Sequence, residues 1–153
     1  MAWAAMFSLT NFIALIAWAM LALLPRGPKL MALVLYLGVG LLCAAYALMF
    51  AGLLGGLFDP RALPGAGQGN FTTIAGIRAL FMSDGGIVIG WTHYLAFDLF
   101  VGLWIAKDAD HKGFSRLVQL PFLFATLMAG PIGLLLWLIV RERRARQAAR
   151  SAA

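Results

Sequence analysis

An aspartate and a histidine lie inside one long apolar stretch of the sequence, GWTHYLAFDLFVGLWIAKDA at 90–109. The stretch is long enough to cross a bilayer, and it contains His93 and Asp98. Inserting an aspartate at the middle of a bilayer costs about 2.5 to 3.5 kcal/mol. Asp98 therefore needs a protein partner, a water-filled cavity or a neutral carboxyl group. Ionisable residues at this depth predict a functional site in which the carboxyl or the imidazole transfers a proton.

The five-residue spacing separates these two side chains around a helix. At 100° per residue, Asp98 lies about 140° from His93. Asp98 shares a face with Trp91, Tyr94 and Gly102, whereas His93 shares a face with Phe97, Phe100 and Trp104. Tyr94 is therefore the partner predicted for Asp98 within the helix, and Asn11 and Tyr46 are candidates from other helices.

Both residues also have a purely structural interpretation. A hydrogen bond between membrane helices contributes about 0.6 kcal/mol on average, so a bond from Asp98 to Asn11 would offset little of the insertion cost. His93 lies only a few residues inside the stretch and also fits among interfacial aromatic residues. Haem and iron sites are not expected, because only one histidine lies in an apolar segment and His111 is about 27 Å further along a continuous helix. The sequence predicts neither a metal nor a cofactor.

The composition, with 63% hydrophobic and 12% charged residues, is typical of an integral membrane protein. Four apolar segments, 2–24, 30–58, 87–106 and 117–140, reach the length of about 20 residues that a span needs. We expect an all-α, four-transmembrane-helix bundle, with residues 1–141 as a single domain and 142–153 as a basic tail. Apolar residues at helical spacing predict one interfacial helix at 71–82, between spans 2 and 3. Pro121 and Pro131 allow a kink in the fourth segment.

The basic residues bear on orientation and partners. With four spans, seven of the twelve Lys and Arg residues would share the side of the termini, which favours cytoplasmic termini. The tail after Arg141 has no aromatic residue to stack on a base, so its charge indicates affinity for the lipid bilayer and not for nucleic acid. No cleavable signal is expected, because no positive region precedes the first apolar run. The single cysteine, Cys43, excludes an intrachain disulfide.

Two motifs resemble those of a known family. The patterns H-x-L-A-F-D-L-F at 93–100 and G-P-x-G-L-L at 130–135 are, in combination, similar to the membrane family that includes the plant abscisic-acid-deficient-four protein, involved in making the xanthophyll neoxanthin. The resemblance covers about residues 71–141, and the first two segments agree in hydropathy and length only. Because no Arg- and Ser-rich transit peptide is visible, the chain resembles a bacterial member, expected as a multi-pass protein of the inner (cytoplasmic) membrane.

The resemblance implies chemistry on a carotenoid or a related apolar polyene. Plant relatives are linked to opening an epoxide to an allene, which needs a proton donor for the epoxide oxygen, a base for a carbon-bound proton and no redox cofactor. Asp98, kept protonated by burial, would be the acid and His93 the base, with Tyr94 beside Asp98 as a third catalytic residue. The residues expected to bind such a ligand are Trp91, Phe97, Phe100, Trp104 and Asn11.

Two other classes of function stay open. The chain could hold a carotenoid without catalysis, or assist another biosynthetic enzyme, and would then need the aromatic groove but not Asp98. It could instead be a small proton-coupled transporter, although no inverted repeat relates its segments. A homo-oligomer is compatible with each of these functions.

Overall fold

A computed structural model describes the backbone of residues 2–151 and the side chains of residues 2–142. Within this part of the chain the structure is helical, apart from one isolated antiparallel bridge between Ala62 and Ser83. The helices are α1 (Trp3–Leu23), α2 (Pro28–Leu33), a π-helical segment (Val34–Gly40), α3 (Leu41–Leu54), α4 (Ile74–Phe81), α5 (Asp84–His111) and α6 (Arg116–Ser151). The side chains of the basic tail beyond Glu142 lie outside the described residues.

Four helical segments are long and apolar enough to cross a membrane: Trp3–Leu23, Pro28–Leu54, Asp84–His111 and Arg116–Glu142. Their outward faces carry large apolar side chains, such as Phe12, Leu48 and Phe124, that are more than 60% exposed. Exposed apolar area of this extent is suited to lipid and not to water. The chain is therefore a multi-pass membrane protein, and α2, the π-helical segment and α3 together form its second apolar segment.

Helix α5 is the centre of the bundle, and it contacts α1, α3 and α6. Leu99, Ile105 and Ala106 on α5 are fully buried. Glycines let the neighbours approach: a Cβ on Gly102 would collide with the Trp18 ring of α1, and one on Gly38 would lie 2.9 Å from Ala17 Cβ. Close backbone approach through small residues is how membrane helices gain packing energy without a hydrophobic driving force.

Helix α6 reverses direction at Ala129. The backbone there is non-helical, with φ −157° and ψ 75°. Beyond it the chain packs on its own first half: the Trp137 ring lies 5.5 Å from the Phe122 ring, and a Cβ on Gly133 would collide with Thr126. A straight helix would carry Arg141 about 37 Å from Arg116. Instead, Arg141 Nε donates to Asp108 Oδ2 over 2.7 Å, beside the point where α6 begins.

This reversal makes α6 a helical hairpin, with a first arm at 116–128 and a second arm at 130–142. Each arm is about 20 Å long, shorter than the hydrocarbon core of about 30 Å. The segment therefore differs from the expected continuous crossing: it enters the bundle and returns to the end from which it came. Pro131 contributes, because it cannot donate the backbone hydrogen bond that would continue the first arm.

The hairpin defines two ends of the bundle. The Arg26 end comprises residues 24–28, residues 112–115 and Arg141; the Trp3 end comprises Trp3 and residues 55–83. The two ends are fixed by contacts between α1 and α5: Arg26 binds Asp110 at one, and Trp3 lies against Gly85 at the other. The last described side chains thus lie at the Arg26 end, opposite to Trp3. Four complete spans, as expected from the sequence, would have brought them to the same end as Trp3.

Helix α4 forms where the apolar spacing predicted a helix. Thr73 caps its N-terminus by accepting a hydrogen bond from the Gly76 backbone N–H over 3.0 Å. Its eight residues rise about 12 Å, too little to cross a bilayer. Phe81, its last residue, packs on Gly90 of α5 at the Trp3 end. That α4 lies in the membrane interface stays a prediction.

Candidate functional site

Three cavities lie in a row between α5 and the second apolar segment. The α5 residues that line them follow one another along the helix, at 86–93, 96–100 and 103–111. Their volumes are about 290, 450 and 480 Å³ in that order. The middle cavity shares Leu35 and Tyr36 with the cavity at the Arg26 end. We call the three together the α5 groove; it extends about 37 Å along α5.

The middle of the α5 groove is apolar and adjoins the π-helical segment. Val39 and Gly40 of that segment line it opposite Phe97 and Phe100. A π-helical turn rotates the side chains that follow it relative to an α-helix, and such turns are frequent at functional sites. Here the turn leaves space between the second apolar segment and α5, because Gly40 presents no side chain to the groove.

His93 lies in the wall of the groove near the Trp3 end. Its ring stacks on the Phe97 ring at a centroid distance of 4.6 Å and lies 5.6 Å from the Tyr46 ring of α3. The surrounding wall is apolar, with Phe50, Leu53 and Ile89 among its residues. Among the described residues that line this cavity, His93 and Tyr46 are the two whose side chains could exchange a proton with a ligand.

Asp98 faces away from the groove, towards the tip of the α6 hairpin. Its side chain is buried, and a Cβ on Gly130 would collide with its carboxyl. The groups that face the carboxyl are the Tyr94 hydroxyl and the Gly130 backbone N–H. Because the second arm begins at residue 130, Asp98 lies at the positive end of that arm's helix dipole. One oxygen, Asp98 Oδ2, is buried without a hydrogen-bond partner among the described residues.

Tyr94 joins Asp98 to the break in α6. Its hydroxyl donates to the Met128 backbone carbonyl over 3.1 Å. The chain reversal at Ala129 leaves that carbonyl without a continuing helix, and unpaired backbone groups at membrane depth are costly. Tyr94 and Asp98 thus both contact the hairpin tip, Tyr94 at the end of the first arm and Asp98 at the start of the second.

The other predicted site residues separate into two groups. Phe97 and Phe100 line the α5 groove beside His93. Trp91, Asn11 and Trp104 lie elsewhere: Trp91 Nε1 donates to Asn11 Oδ1 over 3.1 Å between α5 and α1, and Trp104 lies under the Arg141 guanidinium at 5.4 Å. The α6 hairpin packs on the Asp98 face of α5, and the groove lies on another face, between the second and third segments.

Comparison with known proteins identifies the family. The sequence model of one family, ABA4-like (ABA DEFICIENT 4-like), matches residues 5–137. The chain belongs to the ABA4-like family. No significant match to a curated protein or to a solved structure was found. The ABA4-like match runs from α1 into the second arm of the α6 hairpin, so it covers the α5 groove and the Asp98 contact with Gly130.

The structure also shows two polar clusters that the sequence did not predict. Asp108 accepts hydrogen bonds from Lys112 (2.6 Å), Trp137 (3.0 Å) and Arg141 (2.7 Å), which ties the second arm to α5. An acidic residue four positions before a lysine is the only sequence signal for this cluster. The partners from α6 could not be predicted, because they depend on the hairpin.

The second cluster is centred on Arg26. Its Nη1 donates to Asp110 Oδ1 over 3.2 Å and also to Gln119 Oε1, and Gln119 Nε2 donates to Asp110 over 2.9 Å. Burial lowers the pKa of Arg26 from its ordinary value; the charge of Asp110 opposes this shift and that of Arg116 adds to it. Among the described residues no group of three His, Cys, Asp or Glu side chains could hold a metal ion.

Proposed function

We propose that this chain binds a carotenoid or a related apolar polyene in the α5 groove and works in carotenoid or xanthophyll chemistry. Membership of the ABA4-like family supports a role of that class. The observation that carries the proposal is the row of two apolar cavities on one face of α5, whose lining runs along the helix from Gly86 to Phe100. Its shape suits a rod-like hydrocarbon better than a compact ligand.

Aromatic residues supply most of the binding surface in this proposal. Phe97 and Phe100 would lie along the polyene, and the stacked pair of His93 and Phe97 would mark its position near the Trp3 end. Aromatic side chains bury large areas with few rotatable bonds, so they suit a flat conjugated ligand. Phe97 is 56% exposed and would be covered by the ligand.

An acid/base isomerisation is the second candidate function. In that reaction a proton goes to the epoxide oxygen, the ring opens, and a base removes a carbon-bound proton, so the formula of the polyene is unchanged. His93, in the wall of the groove, would act as the base. The buried, unpartnered Asp98 Oδ2 favours the acid role for Asp98, with Tyr94 beside it. Asp98 and His93 face different sides of α5, so this mechanism requires the ligand to reach the hairpin tip as well as the groove.

The test of binding is pigment retention. We expect protein purified in mild detergent from carotenoid-containing membranes to carry a pigment with visible absorption bands, identifiable after extraction. Phe97→Ala should lose most of that pigment. Phe124→Ala is the matched control, because Phe124 is a similarly exposed aromatic residue on α6, away from the groove. Absence of pigment, or equal loss in both variants, would contradict binding in the α5 groove.

The test of catalysis compares His93→Gln with Asp98→Asn. Both substitutions keep size and hydrogen bonding but remove the titratable group. A catalytic pair predicts that each variant abolishes conversion of an epoxide-bearing polyene to its isomer while pigment retention stays near wild type. Binding without catalysis predicts that wild-type protein itself yields no isomer. Wild-type turnover in both variants would refute the acid/base assignment.

A further inference from the structure

The cavity at the Arg26 end differs from the other two because charged side chains line it together with apolar ones. It lies between the start of the second apolar segment and the end of α5 and has a volume of about 480 Å³. Its apolar lining includes Met31, Leu35 and Leu103, and its charged or polar lining is Arg26, Lys107, Asp110 and His111. A cavity lined by both apolar and cationic groups has the polarity of a site for an amphiphile.

Arg26 is the most buried charge in this wall, with its side chain 2% exposed. Nε donates to the Leu21 backbone carbonyl over 2.9 Å, and Nη1 is engaged by Asp110 and Gln119. Nη2 is buried and has no hydrogen-bond partner among the described residues. A buried donor of a charged group that lacks a partner costs more free energy than a neutral one. Arg26 lines the cavity, so an acceptor oxygen bound there would remove that cost once a small rotation of the guanidinium brought Nη2 to the cavity surface.

The charge in the wall is not balanced by the protein groups described. Asp110 is the only carboxylate lining the cavity, and it is already shared between Arg26 and Gln119. Lys107 lines the same cavity, is exposed, and makes no ion pair or side-chain hydrogen bond with another described residue. Arg26 and Lys107 together therefore leave one positive charge uncompensated, and His111 adds a further nitrogen donor.

We propose that this cavity binds the phosphate group of a lipid with a net negative charge, with the lipid chain against Met31, Leu35 and Leu103. A phosphate oxygen would accept from Arg26 and others from Lys107 and His111, since a tetrahedral oxyanion can accept from several directions at once. The site lies at the end of the helices, where headgroups lie in a bilayer. The lipid would occupy only the cavity at the Arg26 end of the α5 groove, and the polyene of the proposed function the two cavities nearer to the Trp3 end; the two ligands would adjoin at Leu35 and Tyr36.

The experiment is native mass spectrometry of the full chain, delipidated in detergent and then titrated with one lipid at a time. The lipids are dioleoylphosphatidylglycerol, the zwitterionic dioleoylphosphatidylcholine, and farnesyl phosphate as a non-bilayer phosphate amphiphile; inorganic phosphate is added as a competitor. We expect one phosphatidylglycerol per chain, retained in clear preference to phosphatidylcholine. Stronger retention of farnesyl phosphate than of phosphatidylglycerol would assign the site to a single-chain phosphate amphiphile and support the phosphate chemistry.

Lys107→Gln should weaken this binding about tenfold, the loss expected for one hydrogen bond to a charged group. Lys29→Gln is the matched control, because Lys29 is exposed at the same end but does not line the cavity, and it should bind like wild type. His111→Gln provides a second variant outside the buried network, so the test does not depend on substituting Arg26. Equal effects of Lys107→Gln and Lys29→Gln, or equal binding of the two phospholipids, would overturn the proposal. So would binding of inorganic phosphate as tightly as lipid.

Discussion

Gly130→Ala tests the contact between the hairpin tip and Asp98. A Cβ at this position would stand 2.6 Å from Asp98 Cγ and 2.9 Å from Oδ2, well inside van der Waals contact. Both partners are buried, so neither side can move into free space. Overpacking of this kind costs about 1 to 3 kcal/mol. We therefore expect Gly130→Ala to lower the free energy of unfolding by that amount.

The matched control is Gly40→Ala in the second apolar segment. The nearest atom to a Cβ there is the Leu35 carbonyl oxygen at 3.5 Å, an ordinary contact. Replacement of a helical glycine by alanine without a clash stabilises by about 0.5 to 1 kcal/mol. The two substitutions are chemically identical and should thus have opposite signs, which thermal unfolding in one detergent can measure.

A double-mutant cycle with Asp98→Ala separates this contact from general damage. Truncating Asp98 makes room for the new methyl group, so Gly130→Ala should cost much less in that background, with a coupling energy of about 1 to 3 kcal/mol. If Gly130→Ala is as stable as wild type, or if its cost is the same with and without the Asp98 carboxyl, the hairpin tip does not pack on Asp98 and the reasoning fails.

Two further predictions follow from the hairpin. The termini should lie on opposite membrane faces, with the Arg26 end in the cytoplasm, because ten of the twelve Lys and Arg residues then fall at or beyond that end and only Arg61 and Arg78 at the other. Labelling of Ala2→Cys and Glu142→Cys with an impermeant maleimide, in a Cys43→Ser background, checks this topology. Labelling of both cysteines from one face would exclude it. Asp108→Asn should destabilise the protein by about 1 to 3 kcal/mol, because hydrogen bonds from charged groups on both α5 and α6 are weakened, whereas Asp84→Asn at the exposed start of α5 should change stability by less than about 0.5 kcal/mol.

Much of the fold could be predicted from the sequence, because it depends on local patterns. Apolar segment lengths predicted the helices, and the residues at 71–82 predicted α4 because its apolar spacing is helical. The angular separation of His93 and Asp98 also followed from their five-residue spacing. The reversal of α6 could not be predicted, because hydropathy measures only how apolar a segment is. Two short arms and one long helix have the same composition.

The position of the α5 groove could not be predicted from the sequence for the same reason. Aromatic residues on α5 indicated a groove, but which neighbour covers each face of α5 depends on tertiary contacts. The hairpin occupies the Asp98 face. Trp91 hydrogen-bonds to Asn11 of α1 and Trp104 lies under Arg141 of the hairpin, so neither lines the groove. The π-helical segment leaves space on the other face of α5. Its apolar residues follow no distinctive spacing, and its two glycines are of a kind common in membrane helices, so nothing in the sequence marks it.

The two motifs that resembled the family meet in space. The pattern at 93–100 supplies Asp98, and the pattern at 130–135 supplies Gly130, against which the Asp98 carboxyl packs. The second pattern also supplies Pro131, which cannot continue the first arm, and Gly133, which lets the two arms approach. The five-residue spacing in the first pattern therefore serves two faces of one helix: Asp98 faces the hairpin, and His93 faces the groove. A substitution at Asp98 would act first on the hairpin, and one at His93 on the ligand that we propose for the groove. This division is why stability and conversion of the polyene, measured together on both variants, distinguish a structural carboxyl from a catalytic one.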